Sequence, residues 1–129
     1  MGMSVRSTAR MVEEVRSGFP YSALVHFHKE SGLPVVTIAG LVQIPQRTLI
    51  RRKAGGRLHP DESERLLRVS GVFEKALGLF EGDVDAARRW LTAPNRELDN
   101  YAPLDFARTE IGARDVEDLI GRLEHGVFT

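Results

Sequence analysis

The sequence predicts an all-α fold built from two helical parts. Apolar residues recur at spacings of three and four along the chain, and no stretch keeps the strict alternation of a half-buried strand. Glycine and proline fall between the apolar stretches, where helices commonly stop and start. The chain has 129 residues, 42% of them hydrophobic, which is enough to bury a core in one domain or two small lobes.

Two helices are predicted at the start of the chain. Ser7 is expected to cap a first helix that runs through Arg16 and stops at Gly18. Pro20 suits the first turn of a second helix, which Gly32 ends. We expect both helices to cover the core.

The next segment predicts a helix-turn-helix, with a break at residues 43–45 between two short helices. This motif needs a small residue where its helices touch, an apolar residue after the turn, and another one turn into the second helix. Ala39, Ile44 and Leu49 supply them. Gln43 stands where glycine often makes the turn, so it would need a left-handed or distorted backbone. Pro45 replaces the usual Ser or Thr cap, which a helix start tolerates.

If residues 45–53 form the recognition helix, Leu49 points inward and the polar side chains point outward. The residues expected to face the DNA groove are Gln46, Arg47, Ile50 and Arg51. The residues expected closer to the phosphates are Thr48, Arg52 and Lys53. Glutamine and arginine can make paired hydrogen bonds to adenine and guanine edges. The alternative is a basic helix that is merely solvated.

The net charge of zero hides an uneven distribution. Residues 1–60 hold nine Lys and Arg against three Asp and Glu, a balance of +6. Residues 61–129 hold nine against fifteen, a balance of −6. A polyanion such as DNA would therefore bind the N-terminal half, unless the asymmetry reflects only solvated surface charge.

Further helices are predicted in the C-terminal half. Pro60 and two following acids predict the start of a long helix that ties the halves together. Its apolar stripe comprises Leu66, Val69, Phe73, Ala76 and Phe80. Asp83 is a predicted cap for the next helix, and residues 98–109 are predicted to form a loop with a short helical turn. The last helix is expected over residues 113–125, with Gly126 as its stop.

The sequence lacks the motifs and spacings typical of catalysis or metal binding, although spacing does not exclude an acid pair brought together by folding. There is no cysteine, and His26 and His28 are two positions apart, so one helix cannot direct both at the same metal ion. No phosphate-binding loop or nucleophile motif is present. No apolar run approaches the length of a membrane span. We expect a cytoplasmic protein that is not an enzyme, with no cofactor, no metal and no membrane contact.

From about Leu33 to the end of the chain, short motifs combine into one specific pattern. They are Thr48-Leu49, Arg51-Arg52, Gly56-Arg57-Leu58, Glu62-Ser63, Arg65-Leu66, Ala86, Trp90-Leu91, Pro94-Asn95, Leu98, Pro103-Leu104, Thr109, Gly112-Ala113, Val116 and Gly126-Val127-Phe128. The combination resembles the Xre/MbcA/ParS family of antitoxins, the partners of RES-domain toxins that consume NAD.

The resemblance implies an Xre-like helix-turn-helix over residues 1–58 that binds the double-stranded promoter DNA of its own operon. It implies a helical toxin-binding domain over residues 59–129 that covers the active site of the RES-domain toxin. It also implies a homodimer within a larger toxin–antitoxin complex. The residues expected to contact the toxin are Trp90, Pro94, Asn95, Leu98, Thr109, Arg122, Glu124, Gly126, Val127 and Phe128.

Two of these candidates have alternative interpretations. Trp90 is either an interface anchor or an ordinary core residue, and the same choice applies to Phe128 in the apolar tail. Two other functions also fit the sequence. One is a stand-alone dimeric repressor whose C-terminal half only dimerises, and the other is a protein-interaction module whose basic helix no longer binds DNA.

Overall fold

The protein is described by a computed structural model that covers residues 5–126. Within that range the chain forms eight α-helices and one 3-10 turn, and no strand. The helices are α1 (Val5–Ser17), α2 (Tyr21–Ser31), α3 (Val35–Leu41), α4 (Gln46–Gly55), α5 (Pro60–Leu79), α6 (Val84–Thr92), α7 (Pro103–Phe106) and α8 (Glu110–Glu124), and the 3-10 turn is Arg96–Leu98. The predicted all-α fold is confirmed.

Helix α5 is the central element of the fold. It packs against α1, α2 and α3 on the N-terminal side, and against α6 and α8 on the C-terminal side. Its buried apolar residues are Leu66, Val69, Val72, Phe73 and Ala76, which confirms most of the predicted stripe. Phe27 of α2 meets Phe73 edge-on, with ring centroids 5.7 Å apart. One continuous core therefore runs through both halves of the chain.

The turn between α1 and α2 is fixed to the link between α4 and α5. Gly18 has φ +84°, and a Cβ added there would lie 2.1 Å from the carbonyl oxygen of Leu58. The next residue, Phe19, donates its N–H to the buried hydroxyl of Ser63 at 2.8 Å and accepts from the N–H of Leu58 at 2.8 Å. Only glycine fits this approach, which explains why α1 ends here.

Two predicted helix ends were wrong. Ser7 lies inside α1, which already includes Val5, so it does not occupy the cap position. The last helix begins at Glu110, three residues before the predicted start. The reason is that Thr109 is its cap, with a hydroxyl that accepts from the N–H of Gly112 at 3.0 Å.

Candidate nucleic-acid interface and partner-binding face

The turn of the helix-turn-helix is made by Gln43, whose φ of 60° confirms the predicted left-handed backbone. Around it, the N–H of Gln43 donates to the carbonyl of Gly40 at 3.2 Å, and that of Ile44 to Ala39 at 2.9 Å. Pro45 then takes the cap position of α4 in an extended conformation. The turn is therefore hydrogen-bonded throughout, although a residue without glycine's freedom occupies its left-handed position.

Helix α4 presents one face to the core and the other to solvent. Leu49 packs against the core, as predicted. The exposed candidates are Gln46, Arg47, Ile50, Arg51 and Lys53. Thr48 is half-buried, and its hydroxyl accepts from Nη2 of Arg51 at 3.2 Å. Since Ile50 is 64% exposed among basic neighbours, this face can offer an apolar contact to a thymine methyl beside its hydrogen-bond donors.

Arg52 differs from the other candidates on α4. Its Nε and Nη2 donate to the two carboxylate oxygens of Glu62 at 2.8 and 3.0 Å, and its side chain is only 13% exposed. Burial opposes ionisation of Glu62. The bonds from Arg52 and from the N–H of His59, together with the charge of Arg52, outweigh that effect and lower the pKa of Glu62. Arg52 thus joins α4 to α5. The other six candidates are better placed than Arg52 for contact with DNA.

Two arginines hold the end of α3, next to the turn, and a third holds one of those two. Arg65 of α5 donates from Nε to the carbonyl of Val42 at 2.7 Å. Arg108, from the segment between α7 and α8, donates from Nη2 to the carbonyl of Gly40 at 2.6 Å. Arg68 donates to the carbonyl of Arg108 at 3.1 Å. Cations suit a helix C-terminus, so these contacts fix the motif onto the rest of the chain.

Two of the partner-binding candidates lie at α6: Trp90 is in the helix, and Pro94 follows its end. Trp90 is half-buried and packs on the core, with its ring 6.3 Å from that of Phe80 and tilted by 56°. Pro94 is exposed. One face of the indole therefore packs inside the protein, while part of the ring stays accessible to a partner.

Asn95, Leu98 and Thr109 hold the local fold. The side-chain oxygen of Asn95 accepts from the N–H of Glu97 at 2.9 Å and starts the 3-10 turn. Leu98 is 5% exposed and belongs to the core. Thr109 caps α8 through its hydroxyl. These residues shape the face, and their contact with a partner stays a prediction.

The remaining candidates lie at the end of α8. Arg122 and Glu124 are exposed. Gly126 follows the helix with φ +65°, which confirms the predicted stop. Val127 and Phe128 lie outside the described residues. The fold brings Arg122 next to Leu98 in a shallow depression of about 240 Å³, away from the Trp90–Phe80 contact.

The sequence analysis missed several exposed residues on the C-terminal half. The depression around Arg122 is ringed by the acids Glu97, Asp99, Asp115 and Asp118. Two large apolar side chains are also exposed, Tyr101 by 55% and Ile111 by 78%. The excess of acids was visible in the sequence, but their meeting place depends on how α8 packs beside the 3-10 turn.

Residues 5–126 contain no group of three or more His, Cys, Asp or Glu side chains placed to hold a metal ion. No helix in the same range is long and apolar enough to cross a membrane.

An exposed basic helix in a helix-turn-helix, joined through α5 to a second helical part, is the architecture of a helix-turn-helix DNA-binding protein with an additional helical domain. The comparisons agree with both parts. Residues 10–71 match the Antitoxin Xre-like helix-turn-helix domain, and residues 75–126 match the Antitoxin Xre/MbcA/ParS C-terminal toxin-binding domain. The chain belongs to the Xre/MbcA/ParS antitoxin family, and it is an antitoxin of a toxin–antitoxin system with a helix-turn-helix.

Curated relatives carry the same family name. An antitoxin Xre of Yersinia enterocolitica is 37% identical over 130 aligned positions, which span all of this chain and 88% of that protein. An antitoxin Xre of Photorhabdus laumondii is 38% identical over 87% of each chain. An antitoxin Xre of Pseudomonas putida is 32% identical over 84 positions, 64% of this chain and 52% of that protein. The family is one of regulatory proteins, with a toxin and DNA as partners.

The two matched regions meet within α5. The first ends at residue 71 and the second begins at residue 75, and α5 runs unbroken from Pro60 to Leu79. The predicted division after residue 58 stays a prediction. Because α5 packs on both sides, it gives the two functions a common rigid support.

Proposed function

We propose that this antitoxin neutralises a RES-domain toxin that degrades NAD, by covering the toxin's active site. The observation that carries the proposal is the match of residues 75–126 to a toxin-binding domain. The motifs in the Pro94-Asn95, Gly112-Ala113 and Gly126-Val127-Phe128 segments support the assignment to RES-type partners. Residues 61–129 have a balance of −6, nine bases against fifteen acids, which favours a basic surface on the toxin.

The same chain would repress its own operon through α4. Gln46, Arg47 and Arg51 are exposed and carry N–H donors of the kind that pair with base edges, and the exposed Lys53 would approach a phosphate. We propose a homodimer within a larger toxin–antitoxin complex, acting in the cytoplasm. Two copies would place two α4 helices on successive major grooves, as dimeric helix-turn-helix proteins do.

The first experiment co-expresses a tagged copy with the product of the adjacent gene and follows pull-down and NAD consumption. We expect the two proteins to co-purify and the toxin alone to consume NAD. Adding this antitoxin should suppress the NAD loss. A complex whose isolated toxin leaves NAD unchanged would contradict the RES assignment, while leaving the antitoxin identity intact.

A second candidate function for the helix-turn-helix is repression by this antitoxin alone, without bound toxin, and the observation that favours it is the exposed basic face of α4. Such a protein would bind its promoter tightly without a second protein, and increasing salt would weaken binding steeply because phosphate contacts release counterions. Promoter binding with no complex in the pull-down would select this function.

A further inference from the structure

Helices α1, α2 and α5 enclose an open groove of about 910 Å³ on the N-terminal side of the protein. Two helices form its walls. The α1 wall presents Arg10, Glu13, Glu14 and Ser17, and the α2 wall presents Ala23, His26, Phe27 and Glu30. Both sets follow the i, i+3, i+4, i+7 spacing of one helix face. The groove does not include any residue of α4, so it is separate from the candidate DNA interface.

The floor of the groove is apolar. It is formed by α5, where the buried Leu66 and Phe73 and the half-buried Leu67 and Leu77 lie along about 16 Å of helix. Ala23 on the wall and Ser70 on the floor are small, and they leave room above the larger side chains. Such a surface fits a row of apolar side chains from a helix that lies along α5.

The rim of the groove is acidic, with carboxylates from three different helices. Glu13 and Glu14 come from α1, Glu30 from α2 and Glu74 from α5. Of these four carboxylates, only that of Glu30 forms an ion pair within the described part of the chain, with His26 at 3.1 Å.

Two arginines at the groove offset half of this negative charge. Arg57 donates to the carbonyl of Gly18, at one end of the groove. Arg10 is the remaining arginine in the lining. With four carboxylates against two arginines, the rim has an excess of two negative charges when the histidine is neutral. An incoming segment with lysine or arginine on its flanks would therefore be attracted.

We propose that this groove is a docking site for a cationic amphipathic helix of a partner protein. The apolar stripe of that helix would lie on the half-buried Leu67 and Leu77, and its basic flanks would pair with Glu13, Glu14 and Glu74. The proposal adds a protein contact to the helix-turn-helix part of the chain. It does not depend on which toxin the C-terminal domain binds.

The test measures binding of a fluorescein-labelled 14-residue Leu/Lys helical peptide to the full chain by fluorescence anisotropy. The Glu74→Lys variant should weaken binding about three- to tenfold, since a rim charge contributes modestly. The matched control is Glu64→Lys, an exposed acid on the same helix but outside the groove, which should bind like the wild type. A Leu/Glu peptide of the same length should bind at least tenfold more weakly.

A second variant tests the floor without relying on charge. Ala23→Phe should fill part of the groove and weaken binding of the Leu/Lys peptide. Circular dichroism checks that the variant keeps its helices. Equal weakening in Glu74→Lys and Glu64→Lys would overturn the proposal, because the peptide would then sense only net charge. A homodimer detected by sedimentation that the Glu74→Lys variant no longer forms would also overturn the proposal, because the groove would then be occupied by a second copy of the chain.

Discussion

Arg52 and Glu62 form a two-bond ion pair, with 2.8 and 3.0 Å between their nitrogens and oxygens, that joins the DNA-facing helix α4 to the central helix α5. Glu62 is 7% exposed in its side chain and also accepts from the N–H of His59. One carboxylate therefore holds both the start of α5 and the orientation of α4.

Replacing this carboxylate should destabilise the protein. We expect Glu62→Gln to lower the free energy of unfolding at pH 7 by about 2–3 kcal/mol, since it leaves a largely buried guanidinium poorly paired. The folded-state pKa of Glu62 is lowered, so its contribution is present above the unfolded pKa and is lost as pH falls through the folded value.

The measurement is urea unfolding of wild type and Glu62→Gln across pH. The difference between the two proteins should begin to shrink as pH falls below the ordinary pKa of a glutamate, and it should vanish once pH has passed through the lowered pKa of Glu62 in the folded protein. Glu64→Gln, an exposed neighbour, is the control and should stay close to the wild type at every pH. A constant difference across pH would show that the charge of Glu62 is not the cause.

The left-handed turn residue gives a second prediction. Gln43→Gly should raise the free energy of unfolding by about 0.5–1 kcal/mol, because glycine adopts φ near +60° without the steric cost of a Cβ. Gly56→Ala is the reverse control, since Gly56 has φ +81° and no atom lies within 4 Å of an added Cβ. This variant should lower the free energy of unfolding by a similar amount. Thermal unfolding of both variants measures the two effects. A destabilised Gln43→Gly would mean that the glutamine side chain contributes more than its backbone strain costs.

The corner between α7 and α8 depends on a glycine. A Cβ at Gly112 would lie 1.7 Å from the carbonyl oxygen of Phe106, so the backbone must move. We expect Gly112→Ala to destabilise the protein by about 2–3 kcal/mol. Gly121, on the same helix, has no atom within 4 Å of its added Cβ. Gly121→Ala should therefore stabilise by about 0.5–1 kcal/mol through helix propensity, and denaturant midpoints compare the two.

Separate surfaces for DNA and toxin give a fourth prediction. Arg47→Ala combined with Arg51→Ala should abolish discrimination of the operator from unrelated DNA, because both side chains are exposed on α4 and supply base-edge donors. Toxin neutralisation should stay intact. Electrophoretic mobility shifts and the NAD assay measure the two activities. Arg114→Ala, an exposed arginine on α8, is the control. Equal loss of both activities would mean that the two surfaces are not separate.

A chain that ends before Gly126 tests the proposed role of the tail. If residues 126–129 help to cover the toxin's active site, this truncation should weaken toxin inhibition while promoter binding persists. The toxin is titrated with full-length and with shortened antitoxin, and the NAD that remains is measured at each antitoxin concentration. Unchanged protection by the shortened chain would remove the tail from the mechanism.

The sequence by itself determined the helices, most of their ends, and the inward position of Leu49 on α4. These features depend on contacts three or four residues apart and on the backbone limits of glycine and proline, which act wherever the chain folds. It also indicated the left-handed turn at Gln43. The start of α8 was predicted three residues too far along the chain because Thr109 was not recognised as its cap. Threonine is a common cap residue, so the local signal was present in the sequence.

Only the tertiary structure decided which side chains meet. The sequence did not indicate that the guanidinium of Arg52 pairs with Glu62, ten residues away, and the predicted contact of Arg52 with phosphate stays a prediction. Arg108 reaches the carbonyl of Gly40 across 68 residues. The acidic groove likewise gathers charges from α1, α2 and α5. Such contacts depend on the angles and distances at which whole helices pack, and no local spacing in the sequence encodes those quantities.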